Sequence, residues 1–236
     1  MMLACKITAN ALKLAGEAVK PGVTTKQLDK IIHKYITSQG AVPSFLGLYG
    51  FPASACISVN DEVIHGIPSS RRLVSGDIVS IDVGAYYNDF HGDSAATFAV
   101  GEISAEAQSL MDATKDSLYK AIEVARAGNR IGDISAAVEE HINSCGFAVV
   151  RQFVGHGVGR KLHEDPEVPN FGPKGRGPKL MPGMTIAVEP MVNGKGFEVK
   201  VQPDGWTVLT KSGSLSAHFE HTILITSGDA VIMTQP

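Results

Sequence analysis

From Asp77 to Val100 the chain reads DIVSIDVGAYYNDFHGDSAATFAV. Val79, Ile81, Val83 and Ala85 alternate with Ser80, Asp82, Gly84 and Tyr86, a period of two that predicts a half-buried strand. Asn88-Asp89 supplies a turn before a return strand. With those two residues as a two-residue loop, Gly84 faces Asp93 and Ala95 faces Asp82. The aspartates then share one face on a cross-strand diagonal of roughly 7–8 Å. Two carboxylates aimed at one point repel unless a cation, a proton or an arginine sits between them.

Around this hairpin the pattern is helical. Residues 2–19 carry Leu3, Ile7, Ala11, Leu14 and Val19 at helical spacing and stop before Pro21-Gly22. Thr24 and Gln27 form a predicted capping box, followed by a stripe of Leu28, Ile31, Ile32, Tyr35 and Ile36 that ends near Gly40. AVPSFLGLYGFPA at 41–53 is broken by Gly and Pro and is expected as loop, with a strand beginning at Cys56 to Val59. Ser104 is expected to cap a helix to about Ala127, and Asp133 another to about Ser144. Further strands follow, MTIAVEP ending in Glu189 and AHFEHTILI carrying Glu220 inside it.

The order suggests a repeat. At an offset of 106, Gly22, Leu28, Ile32, Ile36 and Gly40 meet Gly128, Ile134, Val138, Ile142 and Gly146. At 107, Leu73, Gly76, Val79 and Asp82 meet Leu180, Gly183, Ile186 and Glu189, so an acid meets an acid. Two α/β halves, about 1–103 and 104–236, would form one fold with a pseudo-twofold axis and a site between them.

Composition narrows the function. The 236 residues are 44% hydrophobic and 19% charged, enough to bury a substantial core. A formal net charge of -3 leaves no footprint for nucleic acid. No apolar run approaches the ~20 residues needed to span a bilayer, and the first residues lack a secretory cleavage pattern. Three widely spaced cysteines, Cys5, Cys56 and Cys145, fit a reduced compartment, so the chain is read as cytoplasmic.

The chemistry then falls to a few side chains. A buried Glu220 needs a pair or a metal, since an isolated charge in a low-dielectric interior neutralises instead. Between the acidic regions lies FVGHGVGRKLHEDPEVPNF, with His156 between glycines that would let a ligand approach the backbone, and His163 seven residues on. His65 in VIHGIP echoes His156. His33 and His141, on predicted helices, are read as ordinary surface or core groups. Four carboxylates with one neutral imidazole can hold two divalent cations about 3.5–4 Å apart, as in two-metal hydrolases. Such oxygen-rich ligation favours Mn or Fe(II) over a closed structural zinc site, and the chemistry suits amide hydrolysis.

IHGIP at 64–68, DIVSIDV at 77–83, HGDSA at 91–95, FVGHGVGRKLHE at 153–164, MTIAVEPMV at 184–192 and LSAHFEHTI at 215–223 resemble the type I methionine aminopeptidase family over nearly the whole chain. The resemblance implies an α/β (α+β) pita-bread fold, in which two pseudo-twofold halves form a central antiparallel sheet covered by helices, as one catalytic domain over 1–236. It implies a metal-dependent enzyme that removes the N-terminal methionine of nascent proteins and peptides, preferring a small second residue.

By the same resemblance Asp82 chelates one metal, Asp93 and Glu220 bridge both, and His156 and Glu189 complete the other, the metals being Mn, Fe(II), Co or Zn. Glu189 would act as general base, while His163 and His65 face the scissile carbonyl oxygen and the peptide backbone. Phe45, Leu48, Phe51, Cys56 and Trp206 would line a pocket for the thioether side chain. Asn60 and Ser216 match positions that bind a monovalent cation in some relatives. A monomer with a transient ribosome contact, without a zinc-binding or ribosome-docking leading segment, is expected. The 31 positions from Glu189 to Glu220 leave no room for the helical insertion of type II enzymes. Two other readings fit the fold, a proline-directed peptidase (prolidase or Xaa-Pro aminopeptidase) and a non-catalytic binding protein. The former usually carries a large extra N-terminal domain, and the latter tends to lose ligands.

Overall fold

The computed structural model describes residues 1–236. Helices α1 (Met2–Ala18) and α2 (Thr25–Ser38) come first. Strands β1 (Val42–Pro43), β2 (Ala55–Val59), β3 (Glu62–Ile64), β4 (Ile78–Tyr87) and β5 (Phe90–Ala99) follow. A second helix pair, α3 (Ala105–Val124) and α4 (Ile131–Ser144), opens the other half. Its strands are β6 (Ala148–Val149), β7 (Gly155–Gly157), β8 (Glu164–Val168), β9 (Thr185–Val188) and β10 (Met191–Asn193). After them come β11 (Val199–Val201), β12 (Val208–Thr210), β13 (Ser216–His218), β14 (His221–Leu224) and β15 (Val231–Ile232).

All strand pairs are antiparallel. β1, β2 and β5 pair with β4, and β15-β14-β9-β7-β8 form the second large sheet. Short sheets β13-β10-β6 and β11-β12-β3 flank them, the latter joining the halves. The helices cover these sheets, α1 and α2 over the first half's strands and α3 and α4 over the second's. This is the pita-bread architecture.

The internal repeat is visible bond by bond. Leu28, Ile32 and Ile36 of α2 and Ile134, Val138 and Ile142 of α4 are all fully buried. Thr24 bridges Arg72, and Arg130 bridges Lys179 at the matching place. The N–H of Gly22 donates to Leu73 O at 2.7 Å, and that of Gly128 to Leu180 O at 3.0 Å. Gly22 and Gly128 both take left-handed backbone, φ 90° and 98°, which glycine adopts without steric cost.

The Thr24–Gln27 capping box is present, with each side chain bonded to the other residue's N–H. Four local expectations change. In α1 the buried face is Ala4, Cys5, Ile7, Thr8, Ala11, Leu12 and Ala15, whereas Leu3 and Leu14 are exposed. Small residues face inward because the backbones of α1 and β5 nearly touch: a Cβ on Gly92 would lie 2.6 Å from Cys5 Cα. Asp133 is not the cap of α4 but its third residue, accepting from the N–H of the capping Arg130 at 2.8 Å. α3 stops at Val124, three residues short of Ala127. The segment 41–53 contains β1 and a 3₁₀ turn, Leu48–Gly50.

Candidate active site

The hairpin β4–β5 has the expected register, Asp82 opposite Ala95 and Gly84 opposite Asp93. Asn88 and Asp89 carry φ of 49° and 64°, as a type I′ two-residue loop requires. Glu189 follows directly on β9. Glu220 departs from expectation: it is not inside a strand but in the break between β13 and β14. His218 still pairs with Met191 of β10 while His221 already pairs with Val188 of β9, so the chain changes sheets across Phe219-Glu220.

That break is clamped to the hairpin. The N–H of Glu220 donates to Ala95 O at 2.9 Å, and Ser94 Oγ donates to Glu220 O at 2.8 Å. Thr222 Oγ1 accepts from Asp93 N and donates to Asp93 O at 2.8 Å. The two halves are thus bonded together at the rungs that carry their acids.

His156 lies in β7. Its Nδ1 is 2.9 Å from Gly157 O, which places the proton on Nδ1 and leaves the Nε2 lone pair free. Nε2 lies 3.5 Å from Glu189 Oε1 and 3.8 Å from Asp93 Oδ2. The flanking glycines serve packing rather than ligand approach: a Cβ on Gly155 would strike Ala187 O, and one on Gly157 would strike Asp165 O. His163 stacks edge-on against His156 with ring centroids 4.5 Å apart. His65, held at φ 59°, meets Phe153 and Trp206 at 5.8 and 6.4 Å.

These groups line one cleft of about 790 Å³. Asp82, Asp93, His156, Glu189 and Glu220 share it with His65, His163, Phe45, Leu48, Phe51, Cys56 and Trp206. Its apolar wall is a small buried cluster in which Phe51 meets Trp206 edge-on at 5.1 Å. Asn60 and Ser216 lie outside the lining, in contact with each other through a 2.8 Å bond from Ser216 N to Asn60 O.

Lys161 lines the cleft but is not paired with its acid cluster. No lysine or arginine pairs with any of the four acids. Burial pushes the Asp82 carboxyl up to about 7. Burial, then the charge of Asp82, holds Asp93 and Glu189 well above the usual carboxylate range; for Glu220 it is burial, then Asp93. Burial lowers His156 and His65 to about 4 and also lowers His163, so all three are neutral at pH 7.

The donor set fits divalent metal. Asp82 Oδ1, Asp93 Oδ1 and Glu220 Oε1 are buried without any hydrogen-bond partner, and Asp93, His156 and Glu220 offer ligand atoms within 4.8 Å of one another. Carboxylate oxygens with a neutral imidazole nitrogen suit such cations.

Sequence reasoning missed three cleft neighbours. Leu162 belongs to the apolar cluster, Phe153 backs His65, and His218 stands beside Glu189. Only His218 left a usable signal, two positions before Glu220 in a period-two stretch.

Residues 1–227 match the model of metallopeptidase family M24. A methionine aminopeptidase of Clostridium perfringens is 56% identical over 234 residues, which are 99% of this chain and 94% of that protein. The crystal structure of a methionine aminopeptidase from Thermotoga maritima superposes with a TM-score of 0.99 at 44% identity, covering 100% of this chain and 95% of that one. A prolidase from Pyrococcus furiosus shares the fold at a TM-score of 0.81 and 24% identity, this chain spanning 62% of it. Fold and acid cluster define a pita-bread metallohydrolase. The chain belongs to metallopeptidase family M24, among its type I methionine aminopeptidases, and is a metal-dependent aminopeptidase.

Proposed function

We propose that the chain hydrolyses the N-terminal methionine from nascent proteins and peptides, preferring a small second residue, and that residues 1–236 act as one catalytic domain with halves at about 1–103 and 104–236. The observation that carries this reading is the meeting, in one cleft, of unpartnered buried carboxylates with an apolar wall of Phe45, Phe51, Cys56 and Trp206. An acid cluster beside an apolar, partly aromatic wall suits removal of one residue with a long, unbranched, polarizable side chain.

In this reading Asp82 would serve one metal, Asp93 and Glu220 would be shared by two, and His156 with Glu189 would serve the second. Ions drawn from Mn, Fe(II), Co and Zn would supply Lewis acidity and an activated water there. Glu189 takes the proton from the nucleophile and passes it to the leaving amine. His163 and His65, neutral at pH 7, donate hydrogen bonds toward the scissile carbonyl oxygen and the peptide backbone, stabilising the developing tetrahedral species. Phe51 and Trp206 grip the methionine side chain through sulfur–aromatic contact, each contact worth about 0.3–1.5 kcal/mol. A monovalent cation site at Asn60 and Ser216, a monomeric cytoplasmic protein and a transient ribosome contact belong to the same reading.

The test is release of methionine from Met-Ala-Ser by chelator-stripped protein supplied in turn with Mn, Fe(II), Co and Zn, with Ala-Pro as the rival substrate. Metal-dependent release from Met-Ala-Ser and none from Ala-Pro is expected. Cleavage of Ala-Pro alone would instead make it proline-directed, and no cleavage with any metal would make it a binding protein.

A further inference from the structure

One buried side chain at the cleft has no part in the chemistry above. His218, in β13, is 2% exposed, and its Nε2 has no hydrogen-bond partner. The nearest complementary atom is Glu189 Oε2, 3.7 Å away. Glu189 is therefore bracketed: Oε1 faces Nε2 of His156 at 3.5 Å, and Oε2 faces Nε2 of His218.

The two imidazoles present different faces to that carboxylate. His156 spends its Nδ1 proton on Gly157 O, so a lone pair points at Oε1 and the gap suits a cation. His156 Nε2 faces two carboxylates, Asp93 and Glu189, whereas His218 Nε2 faces Glu189 alone. A buried nitrogen whose one complementary neighbour is a carboxylate oxygen is satisfied by carrying a proton toward it. The backbone that carries the ring is fixed, since the His218 N–H donates to Thr97 Oγ1 at 2.9 Å and Thr97 Oγ1 donates to His218 O at 2.9 Å.

We propose that His218 is a positioning residue: its Nε2–H donates to Glu189 Oε2 and turns the carboxylate so that Oε1 faces the cleft. At 3.7 Å the pair is long for a hydrogen bond, and active-site bonds often tighten only in the loaded complex. The inference rests on Glu189 being a ligand and base, as proposed above.

The test uses His218→Phe, which keeps a ring and removes the donor, His218→Ala, and His218→Gln, which restores an N–H donor. Mn(II) binding to the stripped proteins is measured by calorimetry, and kcat and KM on Met-Ala-Ser are measured separately. Phe and Ala are expected to weaken one Mn(II) site and lower kcat, each about 10–100-fold, with KM little changed and Gln recovering most of both. Wild-type Mn(II) affinity and kcat in the Phe and Ala proteins would overturn the proposal. So would Gln as impaired as Ala, since the role would then be packing, and so would complete loss of one Mn(II) site, since His218 would then be a ligand. If wild-type protein releases no methionine, the functional reading fails while the Mn(II) isotherms still decide the role of His218.

Discussion

Asp82 and Asp93 stand two rungs apart on one hairpin, Asp82 across from Ala95 and Asp93 across from Gly84, so both carboxyls enter the same cleft from one face. The register follows from a turn that only two residues with positive φ can close. Burial and then the charge of Asp82 raise the cost of ionising Asp93, and neither acid has a cationic side chain beside it.

Asp93→Asn is therefore expected to act in opposite directions on activity and on metal-free stability. Turnover of Met-Ala-Ser falls by at least about 100-fold, since the carboxylate proposed to be shared by two metals would be replaced by an amide. The metal-free protein melts at a higher temperature at pH 8, since a buried carboxyl that is costly to ionise in the folded state is gone. Kinetics and calorimetric melting check the two signs, and an unimpaired variant would refute a bridging role.

The pH dependence of the stripped protein has a definite sign. Asp82, Asp93, Glu189 and Glu220 have raised folded-state values, so between their unfolded values and pH 7 or above the folded state binds more protons. Stability then falls as pH rises. His65, His156, His218 and His221, lowered by burial to about 4, 4, 3 and 4, work the other way, but only below their unfolded value near 6.5. From pH 6.5 to 8.5 the acids dominate, joined toward the upper end by the buried thiols of Cys5 and Cys56, which act in the same direction, and the melting temperature of the stripped protein is expected to drop. With Mn(II) in excess the drop shrinks or reverses, because the cation displaces those protons. A flat or rising metal-free profile would contradict the burial of uncompensated acids.

Ile36 and Ile142 are repeat partners, both fully buried, one in each half's core. Replacing either by alanine is expected to cost about 2–5 kcal/mol. If 1–236 is one folding unit, both variants shift the same single transition in urea. Two separated transitions, each moved by one variant only, would show that the halves unfold independently.

The hairpin was legible because alternation, turn length and register are tied together: a slip of one residue would turn every side chain over. The helix repeat was legible for a similar reason, since Gly22 and Gly40 recur as Gly128 and Gly146 around the same apolar stripe. The break at Glu220 was not, because AHFEHTILI contains no Gly or Pro and the strand ends only where its partner changes from β10 to β9. The α1 face was misjudged because close approach to Gly92 selects small residues over large apolar ones. Leu162 was invisible because an apolar residue beside a glycine-rich turn has no local pattern to mark it as pocket wall.

Trp206 gives the most direct test of substrate choice. Its ring meets Phe51 at 5.1 Å, and its position depends on Asp204, whose carboxylate accepts from the N–H groups of Trp206 and Thr207 and from Thr207 Oγ1. The ring lies on the wall of the cleft while the acids form another part of the lining, so pocket and chemistry are separable. Trp206→Ala is expected to lower kcat/KM on Met-Ala-Ser about tenfold or more, mainly through KM, because side-chain grip is lost and the metal donors are untouched. Asp204→Ala should do the same more weakly, by freeing the turn rather than deleting the ring. Calorimetry on the Trp206 variant should return wild-type Mn(II) affinity. A fall in kcat alone, with KM and side-chain preference unchanged, would mean that Trp206 serves the reacting groups instead of the pocket.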